Sequence, residues 1–209
     1  MSARFLQERR AGVLLHPSSL PSGRLEQDAE RWLDVLHDAG ISVWQVLPLG
    51  VPHEDRSPYQ CLSAYAMNPA LFGDVETSAV DSADFERWKR AQQHWLSDFA
   101  SFMVIRQQHA QAPWYDWPDA LRLRDPQALA SFASQHAAEI EEVCMQQYLF
   151  HRRWEEIREY ESERGILLFG DMPIFIAYDS ADIWANPDLF LLNGDLRPEY
   201  VAGVPPDYF

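Results

Sequence analysis

Apolar positions along the chain fall into three short unbroken runs separated by long stretches with a period near 3.6. The first run, residues 11–16 (AGVLLH), is bounded by the turn-rich PSSLPSG and predicts a buried strand. Leu25, Ala29, Trp32, Leu33, Leu36 and Ala39 then share one helical face, and Gly40 supplies a stop. Residues 41–47 (ISVWQVL) are β-branched and apolar and end at Pro48, which predicts a second buried strand. Strand, helix and strand in so short a span make a βαβ unit, with parallel pairing and a right-handed crossover.

Residues 50–80 lose periodicity and read as a long loop, of a length that is usually functional. Phe85, Trp88, Gln92, Trp95, Phe99, Phe102 and Met103 restore the helical period, predicting one helix over 82–109. A proline-rich irregular stretch, 110–126, precedes a further helix over about 127–163, continuous or in two pieces, which Gly165 stops. Residues 166–170 (ILLFG) form the third apolar run, followed by Asp171 and a loop. Asn193-Gly194 in LNGDLRPEY predicts a hairpin turn near the end. Strand, helix, strand, helical insertion and strand is an α/β order, the opening of a barrel or of a doubly wound sheet. No glycine-rich dinucleotide or P-loop motif follows the first strand.

Composition narrows the function. Hydrophobic residues make up 47% of 209, enough for a packed core. A formal charge of −15 argues against nucleic acid and anionic membranes as partners. Cys61 and Cys144 lie far apart and outside any ligand spacing, so no metal or cofactor is expected. Residues 1–15 lack a signal-peptide core, and no apolar run reaches membrane-spanning length, so a cytoplasmic, reduced protein is expected. The eight Trp, eight Tyr and eleven Phe have two readings, rings filling a core or rings lining a sugar cleft.

In a parallel barrel, reactive groups collect just past the C-terminal strand ends, where His16, the loop after Pro48 and Asp171 fall. Asp171 can bind hydroxyls or cap the next segment. Tyr59 in Ser57-Pro58-Tyr59-Gln60 is either a stiffly presented stacking ring or the ring of a locally packed turn. Pro205-Pro206-Asp207-Tyr208-Phe209 pairs a rigid loop with two rings. Asp179-Ser180-Ala181-Asp182 is expected to supply a Ser or Asp cap to a short helix rather than to hold a metal.

Five segments, in order, resemble the bacterial amylomaltases, or 4-alpha-glucanotransferases: AGVLLHPSSLPS, VWQVLPLG, SPYQCLSAYAMNP, ILLFGDMPIFIAYDSADIW and VAGVPPDYF. The resemblance implies the N-terminal part of a (β/α)8 TIM barrel, about three strands of it, across residues 1–209. Helical insertions are expected at about 50–80 and 82–163. It implies transfer of an α-1,4-glucan segment to the 4-hydroxyl of an acceptor by a retaining covalent mechanism, with maltooligosaccharides and α-1,4-glucans as partners. It assigns substrate binding to Ser57, Tyr59, Asp171, Tyr208 and Phe209. In the family the nucleophilic Asp lies in an Arg-x-Asp-His segment after the fourth strand and the acid/base Glu comes later; this sequence contains no such segment, so no catalytic carboxylate is expected before Phe209. A three-stranded parallel sheet also leaves open edges and an uncovered face. The 209 residues alone are therefore expected to be inactive in transfer and prone to aggregate, with glucan binding without catalysis as the alternative role.

Overall fold

The structure is a computed structural model, and it describes residues 9–73, 80–201 and 203. Tyr208 and Phe209 lie outside the described residues. Three parallel strands, β1 (Gly12–Leu14), β2 (Val43–Gln45) and β3 (Leu167–Phe169), form one sheet in the order β1-β2-β3. Helix α1 (Leu25–Asp38) joins the first two. Between β2 and β3 lie α2 (Pro69–Phe72), α3 (Ser82–Ala91), α4 (Leu96–Gln108), α5 (Asp119–Arg122), α6 (Pro126–Gln135) and α7 (Ala137–Glu163). After β3 comes α8 (Ala181–Ala185).

Both long crossings end in the same corner. Gly40 follows α1 at φ 71° and Gly165 follows α7 at φ 67°. The Ile41 amide then reaches back to the Leu36 carbonyl, and the Ile166 amide to the Glu161 carbonyl. This is a Schellman closure, in which glycine takes the left-handed position and an apolar residue leads into the strand. Two matched corners deliver β2 and β3 into a register that aligns Leu14, Gln45 and Phe169 across the sheet.

The sheet has two unlike faces. Val13, Leu15, Trp44, Val46, Ile166 and Leu168 pack against Leu25, Ala29, Leu33 and Leu36 of α1 and against Phe150 and Ile157 of α7. Trp44 is fully buried and its indole N–H donates to the Leu15 carbonyl at 2.8 Å. On the other face Leu14 is 53% exposed and Phe169 58% exposed. Gly12 sits on that face, and a methyl there would meet the Val43 Cβ at 3.0 Å.

Helix α7 serves two neighbourhoods. Its last turns lie on α1, tied by Arg153 to Glu30 and by Arg164 and Tyr160 to Asp34. Its first half packs on α3 and α4 around Cys144, Tyr148 and Leu149. A second aromatic cluster, with Phe102, Trp114, Trp117 and Trp184, joins α4 to α8. Most of the tryptophan thus fills cores, which answers one of the two readings of the aromatic content.

One expectation needs correction and two take a definite form. Residues 82–109 are two helices, not one. They break at 92–95, where the Trp95 indole donates to the Gln92 side chain at 2.8 Å and the backbone leaves the helical region. The hairpin near the end is present as a Leu192–Pro198 bridge, but the left-handed residue is Leu196, not Asn193 or Gly194. The Asn193 side chain accepts the amides of Asp195 and Arg197, so it builds a longer turn. The α8 cap is Ser180, which accepts the Ile183 amide. Asp179 and Asp182 are occupied elsewhere. Cys61 and Cys144 are both buried free thiols. No helix among the described residues is long and apolar enough to cross a membrane.

Candidate functional site at the strand ends

The shared register places His16, Leu47 and Asp171 two residues past the sheet, at one level. Here the loops after β2 and β3 meet. The Tyr59 hydroxyl donates to Asp171 Oδ2 at 2.7 Å, across 112 positions of sequence. The carboxylate raises the Tyr59 pKa above its usual value, because the hydrogen bond favours the protonated phenol. Tyr59 remains 43% exposed, so its ring stands at the rim.

The loop that carries Tyr59 is rigid for local reasons. Pro52 and Cys61 pair as an antiparallel bridge, and the His53 amide donates to the Gln60 carbonyl. Arg56 turns the tip at φ 57°. Ser57 shapes the turn: its amide donates to Asp55 and its hydroxyl accepts the Tyr59 amide at 3.4 Å. The Cys61 thiol donates to the Pro58 carbonyl, and burial lifts its pKa to about 11, which keeps it protonated. Gly50 is required beneath it, since an added methyl would lie 2.8 Å from the sulfur.

Asp182 fastens this loop to the segment after β3, and Asp179 ties that segment to α4 and the turn beyond it. Asp182 accepts the Ala64 amide at 2.9 Å, while the Ala181 amide donates to the Leu62 carbonyl at 2.8 Å. Burial raises the Asp182 pKa, and the Ala64 amide partly offsets it. Asp179 pairs with Arg106 at 2.5 Å, both side chains being almost nine-tenths buried, and accepts the Trp114 amide at 3.2 Å. His16 caps the turn after β1: its Nδ1 accepts the Ser18 amide, and burial lowers its pKa, favouring the neutral ring. The sequence reads Asp179 and Asp182 as part of a helix cap or as metal ligands, and Asp179 also as a candidate acid/base group with Asp171 and Glu199. Their actual partners, Arg106 and Ala64, are 73 and 118 positions away. A further ring, Tyr65, was not singled out. No group of three or more His, Cys, Asp or Glu suited to a metal occurs among the described residues.

An open groove of about 190 Å³ runs over this floor, lined by Leu49, Gly50, Cys61, Tyr65, Met67 and Asp171, among others. Among the described residues it holds hydrogen-bonding groups, apolar walls and one carboxylate, Asp171. That set can grip a neutral polyhydroxylated ligand.

Comparison with known proteins decides the lineage. The profile of the 4-alpha-glucanotransferase family matches residues 14–78 and 72–209. This chain belongs to the 4-alpha-glucanotransferase family. Among curated relatives, the 4-alpha-glucanotransferase of Synechocystis is 36% identical over 98% of this chain and 51% of its own length. That of Thermus thermophilus is 36% identical over 96% of this chain and 49% of its own. Among solved structures, the amylomaltase from Streptococcus agalactiae in complex with acarbose superposes with a TM-score of 0.86 at 29% identity, covering 97% of this chain and 51% of that one. The chain thus spans about half the length of these 4-alpha-glucanotransferases. The Synechocystis alignment runs over 256 residues although this whole chain has 209. The two blocks of the family match meet at residues 72–78, between α2 and α3.

Proposed function

We propose that this chain forms the donor-side wall of a 4-alpha-glucanotransferase active site, in a (β/α)8 barrel whose first three strands are β1 to β3. The observation that carries the reading is the Tyr59–Asp171 hydrogen bond at the level where three parallel strands end. Asp171 offers its second oxygen to sugar hydroxyls while Tyr59 holds the first. Tyr59 presents a ring edge at the rim, and Ser57 sets the turn that aims it. Tyr208 and Phe209, outside the described residues, belong to the same reading as substrate-binding residues on the family resemblance alone. In the intact protein, a carboxylate outside these residues attacks the anomeric carbon and a second acts as acid and then base. An acceptor 4-hydroxyl, held in place of water, then takes the glucan. The helices between β2 and β3 form the insertions at about 50–80 and 82–163. The partners of the protein on this reading are maltooligosaccharides and α-1,4-glucans, in the cytoplasm.

For these 209 residues by themselves the reading is glucan contact without transfer, because the attacking group is absent from the sequence. Asp171→Asn in the intact protein removes the charged acceptor of a hydrogen bond worth about 1.5–3 kcal/mol. A fall in kcat/KM for maltotriose disproportionation of roughly 10- to 100-fold is expected, with a melting temperature lowered by about a few degrees at most, because Asn still accepts from the Tyr59 hydroxyl. An intact protein that neither binds nor redistributes maltooligosaccharides would overturn the reading.

A further inference from the structure

The Tyr59 hydroxyl meets Asp171 only while two loops keep their relative place, and one short segment holds the Tyr59 loop from both sides. Residues 179–182 follow β3. At their far end Asp182 accepts the Ala64 amide and the Ala181 amide donates to the Leu62 carbonyl, which anchors the returning arm of the loop. At their near end Asp179 faces the outgoing arm, where His53 Nδ1 lies 3.9 Å from Asp179 Oδ2. His53 is placed to pass a pull on to Tyr59. Its amide donates to the carbonyl of Gln60, the next residue after Tyr59, and its carbonyl accepts the Arg56 amide at the tip.

Asp179 is a fixed anchor. Arg106 holds it from α4, and the Trp114 amide from the turn beyond. The Trp114 indole donates to the Tyr178 carbonyl at 2.7 Å, and the Tyr178 ring stacks on Tyr115 with centroids 4.7 Å apart. His53 is held differently. At 3.9 Å its ring is beyond hydrogen-bond reach and meets the carboxylate through charge, so the tie is strong only when the imidazole carries a proton. Its other nitrogen, Nε2, is shut from solvent without a partner among the described residues. The His53 and Asp179 side chains are 21% and 13% exposed, so water and salt screen the pair less than they would at the surface. Other charges bear on it. Arg106 shares the same carboxylate oxygen and opposes a charge on His53. Tyr115, covered by Arg197 at 4.8 Å, stays a neutral phenol because burial, and then Asp179, raise its pKa. Glu54, Asp55 and Arg56 flank His53 on its own loop and are exposed.

We propose that His53 is a positioning residue: protonated, it draws the outgoing arm of the Tyr59 loop onto Asp179 and so keeps the phenol against Asp171. The proposal rests on the glucanotransferase reading and deepens it. The loop is then clamped on one side by backbone hydrogen bonds and on the other by a charge that a single proton switches. Without that charge Tyr59 is tethered from one side only, and a misplaced binding group slows the reaction without touching the reacting atoms.

The test uses the intact protein and compares pH profiles of kcat/KM for maltotriose. The parent is expected to exceed His53→Gln by about 3- to 10-fold near pH 5.5, with the ratio falling toward one near pH 8.5. His53→Lys keeps a positive charge and is expected to retain the parent's acid-side advantage at both ends. In an Asp179→Asn background, His53→Gln is expected to change nothing further. Hydrogen exchange of peptides over 50–64 gives a readout that needs no activity: it is expected to be faster in His53→Gln than in the parent near pH 5.5 and equal near pH 8.5. A ratio of one at every pH overturns the proposal. So does a ratio that is the same at every pH, since the ring then serves only to pack. If exchange shows the clamp but the intact protein neither binds nor turns over maltotriose, the clamp stands and the glucanotransferase reading fails.

Discussion

The two faces of the sheet are built from the same apolar strands and live in different surroundings. On one face Trp44, Ile166 and Leu168 are sealed by α1 and α7. On the other, Leu14 and Phe169 stand more than half exposed, one strand apart from Gln45 on either side. Identical backbone pairing thus carries a finished core on one side and an unfinished one on the other. A sheet face this apolar is stable only when something covers it.

The covered face should show the largest response to substitution. Trp44→Ala removes a fully buried indole and leaves the Leu15 carbonyl without its donor. A loss of about 3–5 kcal/mol is expected from the urea midpoint of the intact protein. Phe169 sharpens the contrast. If a closed barrel covers it in the intact protein, Phe169→Ala costs about 3 kcal/mol there, whereas a face that stays bare costs under about 0.5 kcal/mol. Expressed alone, the 209 residues are expected to aggregate through this face. Leu14→Ser with Phe169→Ser should then raise the soluble fraction, measured by light scattering.

The smallest effect belongs to the rim of the covered side. Glu161 is 8% exposed near the C-terminal end of α7, and one carboxylate oxygen has no partner among the described residues. Burial raises its pKa from 4.5 to about 7, against the opposing pull of Arg158 and the Leu168 amide. The helix dipole also disfavours a negative charge at this end. Below pH 4.5 the group is protonated in both states and costs nothing. Between 4.5 and about 7 the unfolded chain gives up a proton that the folded one keeps, so stability falls as pH rises. Glu161→Gln is expected to stabilise by about 2 kcal/mol above pH 7, with the gain fading toward pH 4.5 in thermal melts.

The covered face was legible because its strands are short apolar runs and α1 has a clean period ending at a glycine. The break between α3 and α4 was not, because the period from Phe85 to Phe102 continues across it while a Gln92–Trp95 contact stops the helix. The Tyr59–Asp171 meeting rests on strand-end logic together with a family resemblance. Each residue alone has an ordinary local reading. The ties from Asp179 to Arg106 and from Asp182 to the Ala64 amide span distances over which no local pattern operates. Tyr65 was missed for the same reason. Only the fold brings its ring to the groove, and an exposed tyrosine in a loop carries no signal of its own.

The glycine corners after α1 and α7 have an evolutionary consequence. Each strand receives its register at its point of entry, from two backbone hydrogen bonds and one left-handed residue, and not from whatever lies between α2 and α3. The connection where the two blocks of the family match meet can therefore vary in length without shifting the loop after β2 relative to the loop after β3.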